Sequence, residues 1–261
     1  MPFKGVKVEA EPDFTLCYVE DFCIEFKREI RNCLAKLFSG AANVNDNSTL
    51  FTYKWTVKEF LERYNGKDLK TKKGMIGELL AHILINKHHL LLKTVSILAN
   101  KEERSIRKGF DIIYLHDTDN SIWYSEVKSG NSRLKDSTTY NRVLLNRAKT
   151  GLTNTLLENS DYRWFSAIVD ARLTLDGPDK IKASALLSND FPSKDLSVGT
   201  KRNVIIITVL YHCLTDRILS DNIKKFQKKL IKSGTFQKSI IFCIQKTTYK
   251  KVERFLIKES I

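Results

Sequence analysis

The chain has 261 residues, 42% of them hydrophobic, enough for one large or two small domains with a real core. Its 44 Lys and Arg against 30 Asp and Glu leave a net charge of +14, which points to a polyanionic partner, with nucleic acid foremost. No apolar run approaches the roughly 18 residues of a membrane span, and the N-terminus lacks the apolar stretch of a signal peptide. The cysteines (Cys17, Cys23, Cys33, Cys213, Cys243) contain no Cys-X-X-Cys pair and are odd in number. They read as buried thiols in a reducing cytoplasm, not as zinc ligands.

In chain order, residues 1–20 look extended, and the alternation of Phe14, Leu16 and Tyr18 predicts an edge strand. Residues 21–39 carry a helical stripe of Phe22, Phe26, Ile30, Cys33, Leu34 and Leu37, with Gly40 as the stop. Residues 41–49 read as a polar loop. Thr56 is expected to cap a short helix through Tyr64, with Glu59 completing a capping box and Asn65-Gly66 ending it. A lysine-rich stretch, 67–73, then leads into residues 75–85, an apolar run broken only by Glu78 and His82. A helix apolar nearly all round is buried. Glu78 and His82 are spaced i, i+4 and share a face. A buried carboxylate is costly unless it is paired or holds a metal. Glu78 therefore bonds His82 or a buried cation, or it serves a metal. Gly74 and Gly77 either allow close backbone approach or are simply tolerated. His88 and His89 read as surface residues, residues 90–98 as the first core strand, and 101–108 as a charged loop.

The stretch from Gly109 to Lys128 is a β-hairpin by composition: two runs rich in Ile, Tyr and Trp flank Asp117-Thr118-Asp119-Asn120. With the turn centred between Thr118 and Asp119, Asp111 faces Glu126 across the strands, and Lys128 lies on the same face as Glu126. Like charges directly opposite one another destabilise a strand pair. Either both carboxylates point to water, where the repulsion is screened, or a hard divalent cation removes it, since carboxylate and carbonyl oxygens suit Mg²⁺ or Mn²⁺.

After Lys128, Ser129-Gly130-Asn131-Ser132 is expected to break the strand, and 136–158 to form a helix that carries Arg142, Arg147 and Lys149 toward phosphates or toward solvent. Tyr162-Arg163-Trp164-Phe165 suits base stacking or core packing. Residues 171–202 look irregular, with Asp176-Gly177-Pro178, Asn189-Asp190 and Phe191-Pro192 as turn signals. Asn203 to Tyr211 predicts a strand covered on both faces. Residues 220–232 form a basic amphipathic helix with Ile223, Phe226 and Leu230 inward, 239–245 a core strand, and 249–258 a last helix. This alternation argues parallel pairing behind the hairpin, in one α/β domain with a helical N-terminal part: strand and helices over 1–66, core over 67–261.

Glu78 on a helix, Asp111 on a strand and Glu126-Val127-Lys128 on the next strand resemble the PD-(D/E)XK nuclease superfamily. Phe110-Asp111 replaces the common Pro-Asp. An acidic-X-Lys triplet alone is uninformative, because Glu25-Phe26-Lys27 and Asp68-Leu69-Lys70 are triplets too. Only the triplet at 126 has an Asp in register and a Gly-Glu helix upstream. The Lys-Gly-Met-Ile-Gly-Glu-Leu-Leu, Lys-Gly-Phe-Asp and Tyr-Ser-Glu-Val-Lys-Ser segments, within about residues 72–130, are similar to the Hachiman anti-phage effector nucleases, the HamA family.

The resemblance implies a restriction-endonuclease-like mixed sheet flanked by helices, and sequence-non-specific DNA cleavage. It also implies a helicase partner, HamB-like, that restrains the nuclease; this chain has no Gly-rich phosphate loop of its own, so ATP would be the partner's fuel. Asp111, Glu126 and the Val127 carbonyl would hold Mg²⁺ or Mn²⁺. Glu78 would complete the shell or orient a water, and Lys128 would place or deprotonate the attacking water. No small-molecule cofactor is expected. The rivals are a nuclease-like module that binds nucleic acid without cutting, a sequence-specific restriction enzyme, and an RNA-directed variant.

Overall fold

The apolar run at 203–211 has no polar face to offer water, and the structure buries it throughout, as a strand with parallel neighbours on both sides. The computed structural model describes residues 3–45, 49–99, 109–131, 135–158, 161–191 and 201–261. The strands in chain order are β1 (Val6–Glu11), β2 (Phe14–Val19), β3 (Leu92–Thr94), β4 (Ile112–His116), β5 (Ile122–Gly130), β6 (Asn203–Tyr211) and β7 (Lys238–Lys246). They form one mixed sheet in the order β1-β2-β7-β6-β5-β4-β3. The central pairs β2/β7, β7/β6 and β6/β5 are parallel, and antiparallel hairpins close both edges.

Among the described residues nine α-helices accompany the sheet. On one face lie α1 (Ile24–Ser39), α3 (Tyr53–Asn65), α4 (Leu69–His88) and α9 (Lys250–Glu259), which share a core with Ile205, Ile207 and Val209 of β6. On the other lie α5 (Ser137–Leu157), α6 (Asp161–Thr174), α7 (Gly177–Asp190) and α8 (Ser220–Lys232), around Val204, Ile206 and Leu210. The short α2 (Ala41–Asn45) follows α1. This is the mixed α/β fold, helices flanking a mixed sheet, that the sequence leads one to expect.

Several local expectations are corrected. The alternating Phe14, Leu16 and Tyr18 lie on β2, an inner strand beside β7, and β1 is the edge. The N-terminal residues are thus part of the common sheet as well as of the helical layer. Residues 41–45 are helical, and 46–48 lie outside the described residues. The helix of Thr56 begins earlier, at Tyr53, because Thr52 caps it by accepting from the Trp55 N–H at 3.2 Å. Thr56 then sits one turn inside, donating to the Thr52 carbonyl at 2.8 Å, and Glu59 pairs with Arg63. Asp68 caps α4, which extends the Gly-Glu helix to twenty residues.

The strand expected at 90–98 shrinks to Leu92–Thr94. Val95 and Ile97 are buried nonetheless, and the Val95 N–H still donates to the Ile113 carbonyl at 2.8 Å, so the apolar run reports burial more than strand length. The charged loop 101–108 lies outside the described residues. β5 does not stop at Ser129 but continues through Gly130, paired with Leu210. The stretch read as irregular contains α7: Gly177-Pro178 starts it, since proline in the first turn forfeits only an N–H with no helical partner. Pro192 lies outside the described residues. His89 is half-buried, its Nε2 3.1 Å from the Thr15 hydroxyl and its ring against Phe242. Cys213 is exposed, unlike Cys17 and Cys243. No helix is long and apolar enough to cross a membrane among the described residues.

Candidate active site

The hairpin forms in the register its sequence predicts. Ile112 faces Ser125, and the pairing runs unbroken to Leu115 and Ile122. The turn closes where the His116 N–H donates to the Ser121 carbonyl at 2.9 Å, and Asn120 supplies the left-handed residue at φ 52°. Asp111 stands one residue before β4, so the same register sets it opposite Glu126. Its Oδ2 accepts the Val127 N–H at 2.8 Å, which fastens this carboxylate to the backbone of β5.

Along β5, Tyr124, Glu126, Lys128 and Gly130 point toward α5, as strand alternation requires. The Glu126 residue is 8% exposed, and its Oε1 accepts from the Lys128 ammonium. The expected shared face of Glu126 and Lys128 is therefore present. α5 roofs this face closely. Its N-terminus is fixed by Asp136, which accepts the Thr139 N–H at 2.8 Å. Asn141 of α5 accepts from the Thr208 hydroxyl at 2.6 Å, and Thr208 is the strand neighbour of Lys128. Arg142 and Arg147 are exposed on the outer side of α5.

α4 packs on the opposite face of the sheet. A Cβ on Gly77 would lie 1.9 Å from the Ser129 Oγ, so only glycine permits this approach of α4 to β5; around Gly74 there is open space. Glu78 follows Gly77 and is half-buried. Burial, and then the negative charge of Glu78, hold the Tyr114 hydroxyl well above the usual tyrosine range. Glu78 thus stands beside Tyr114 of β4, on the side of the sheet away from Glu126 and Lys128. No Glu78–His82 bond forms: His82 is fully buried with neither ring nitrogen partnered, and burial pushes its pKa down to about 3.

The structure therefore brings Asp111, Glu126, Val127 and Lys128 together at the open end of the hairpin, whereas Glu78, expected to join them, lies with α4 on the other face of the sheet. Among the described residues no group of three or more His, Cys, Asp and Glu side chains is set to hold a metal ion as it stands. The donors do suit a hard divalent cation in kind. Asp111 and Glu126 are set opposite each other by register, the Asp111 carboxylate reaches the Val127 backbone, and Glu126 already faces one cation, the Lys128 ammonium.

Basic and aromatic groups gather near the end of β5. Lys73 donates to the Asn131 side chain, the Lys72 ammonium lies 5.1 Å from the Tyr64 ring centroid, and the Lys250 ammonium 5.2 Å from that of Tyr249. Trp164 packs inside against Phe110 and Tyr124, while Phe165 is 62% exposed. Sequence reasoning missed Gly151 of α5, which lies against Glu126. The available signal was a glycine inside a helical stretch with no turn to serve.

The HamA family model matches residues 4–259, nearly the whole chain. A search of curated proteins finds no match.

Proposed function

The chain belongs to the HamA family, a family of Hachiman anti-phage defence, and on that footing we propose that it is the nuclease of such a system, a metal-dependent deoxyribonuclease without sequence preference. The observation that carries this reading is the hairpin register, which sets Asp111 opposite Glu126 with Lys128 on the Glu126 face. Asp111, Glu126 and the Val127 carbonyl would hold Mg²⁺ or Mn²⁺, without Glu78, which lies with α4 across the sheet from Glu126. When bound, such a cation acidifies water and neutralises charge on the phosphate oxygens.

The chain's own contribution starts at Lys128. Its ammonium is held by Glu126, so it is positioned before substrate arrives. Set beside a phosphodiester, the Lys128 ammonium orients the attacking water by donating to it and offsets the charge that builds on the pentacovalent phosphorus. Asp111, tied to the Val127 N–H, is held against the backbone of β5. The net charge of +14 favours a nucleic-acid backbone over neutral substrates.

The test is digestion of plasmid, linear and single-stranded DNA, and of RNA, with Mg²⁺ and with chelator. Glu126→Ala and Lys128→Ala are expected to abolish cleavage, with circular dichroism unchanged. Undiminished cutting by either variant rejects the assignment. Salt-sensitive binding without products assigns the chain to the non-cleaving class of nuclease-like modules. A Hachiman system implies a partner, and we infer a helicase subunit. Co-purification with that subunit, and a change in cleavage on adding ATP, are the expected results.

A further inference from the structure

Glycine inside a helix costs about 0.5–1 kcal/mol relative to alanine, because the unfolded chain gains freedom. Gly151 lies within α5 and is not among the residues at positive φ, so the backbone does not require it. Its surroundings do. A Cβ built there would stand 2.8 Å from Glu126 Oε1, 3.2 Å from Cδ and 3.4 Å from Cγ. The volume a methyl group would fill is thus occupied by the carboxylate, whose Oε1 also receives the Lys128 ammonium. Lys128 bounds the carboxylate on the strand side and α5 bounds it from above.

We propose that Gly151 is a positioning residue: by withholding a methyl group, α5 leaves the berth that sets the Glu126 carboxylate beside Lys128. Its catalytic consequence rests on the reading of Glu126 as a member of the hydrolytic site. The contrast with Gly77 separates this role from packing. A methyl at Gly77 meets the Ser129 and Val209 side chains close to the strand itself, and α4 would have to lift. The three atoms nearest a methyl at Gly151 all belong to the Glu126 side chain, the carboxylate oxygen first. The fold yields there easily, and what moves is the functional group.

Stability and function should therefore part company in Gly151→Ala. We expect a melting temperature equal to or above that of the parent, a fall in DNA cleavage of about tenfold or more, and a rise in the Mg²⁺ concentration for half-maximal rate. In metal-free protein at fixed pH, carboxyl NMR of Glu126, assigned through Glu126→Gln, should show a displaced signal. Shortening the side chain restores the room, so Gly151→Ala should cost less in a Glu126→Asp background than alone. If G151A fails to fold, the double variant folds when this contact is the cause; a double variant that stays unfolded overturns the proposal. So does G151A with unchanged cleavage, Mg²⁺ dependence and Glu126 carboxyl signal. A parent that cuts no nucleic acid, but whose Glu126 signal moves in G151A, keeps the positioning role and rejects the hydrolytic reading.

Discussion

His82 is a costly residue where it stands. Both ring nitrogens are buried without a hydrogen-bond partner, and the ring stays neutral down to about pH 3. The unfolded ring accepts a proton near its ordinary value of 6.5. Between about 3 and 6.5 the unfolded state thus binds more protons, so stability falls as pH drops through that window and is unaffected above it. Each pH unit below 6.5 costs on the order of 1 kcal/mol from this one group, until the ring protonates or the chain opens. His88 and His89 are depressed as well, first by burial, so only a comparison isolates His82. Denaturant melts of His82→Leu and the parent, at pH 7 and pH 5, should show the variant losing less stability on acidification. Equal losses would place His82 in contact with water. Glu126 and Lys128 illustrate the opposite strategy: two ionised groups kept under α5 because each answers the other.

At the scale of elements, the contact of α4 with β5 sets how the helix that bears Glu78 approaches the hairpin. Gly77→Ala puts a methyl into the Ser129 side chain, and overpacking of this kind costs about 1–3 kcal/mol. We expect a lowered melting temperature together with reduced cleavage, and Gly74→Ala, which meets open space, should spare both. What was legible in the sequence follows the same logic. The hairpin register could be read because turn residues and β-branched runs act locally, and β6, α8 and α9 because periodicity and burial coincide. The capping residue of α3 was displaced from Thr56 to Thr52 because both are threonines and one turn apart, so composition alone does not choose. α7 was hidden by Gly177-Pro178, a pair that breaks a helix inside and begins one at its first turn. Gly151 could not be valued without tertiary information, since what it touches lies on another element.

For the whole molecule, the proposed association with DNA should depend on salt through the charge balance. Each phosphate neutralised contributes a slope of about −0.9 in log K against log salt for duplex DNA. Titrations across salt concentrations should give a steep negative slope, and Lys72→Glu with Lys250→Glu should flatten it if the aromatic-backed lysines near the end of β5 lie on the path of the backbone. An unchanged slope would move that path elsewhere. The sheet order carries a last consequence. β2 finds its inner neighbour only in β7, more than two hundred residues later in the chain, and β5 likewise waits for β6. During synthesis on the ribosome, neither strand's open side can be covered until almost the entire polypeptide has emerged. A translation product cut short before residue 238 would be left with sticky, unzipped edges in place of a finished blade, so an arrested message is expected to yield aggregates.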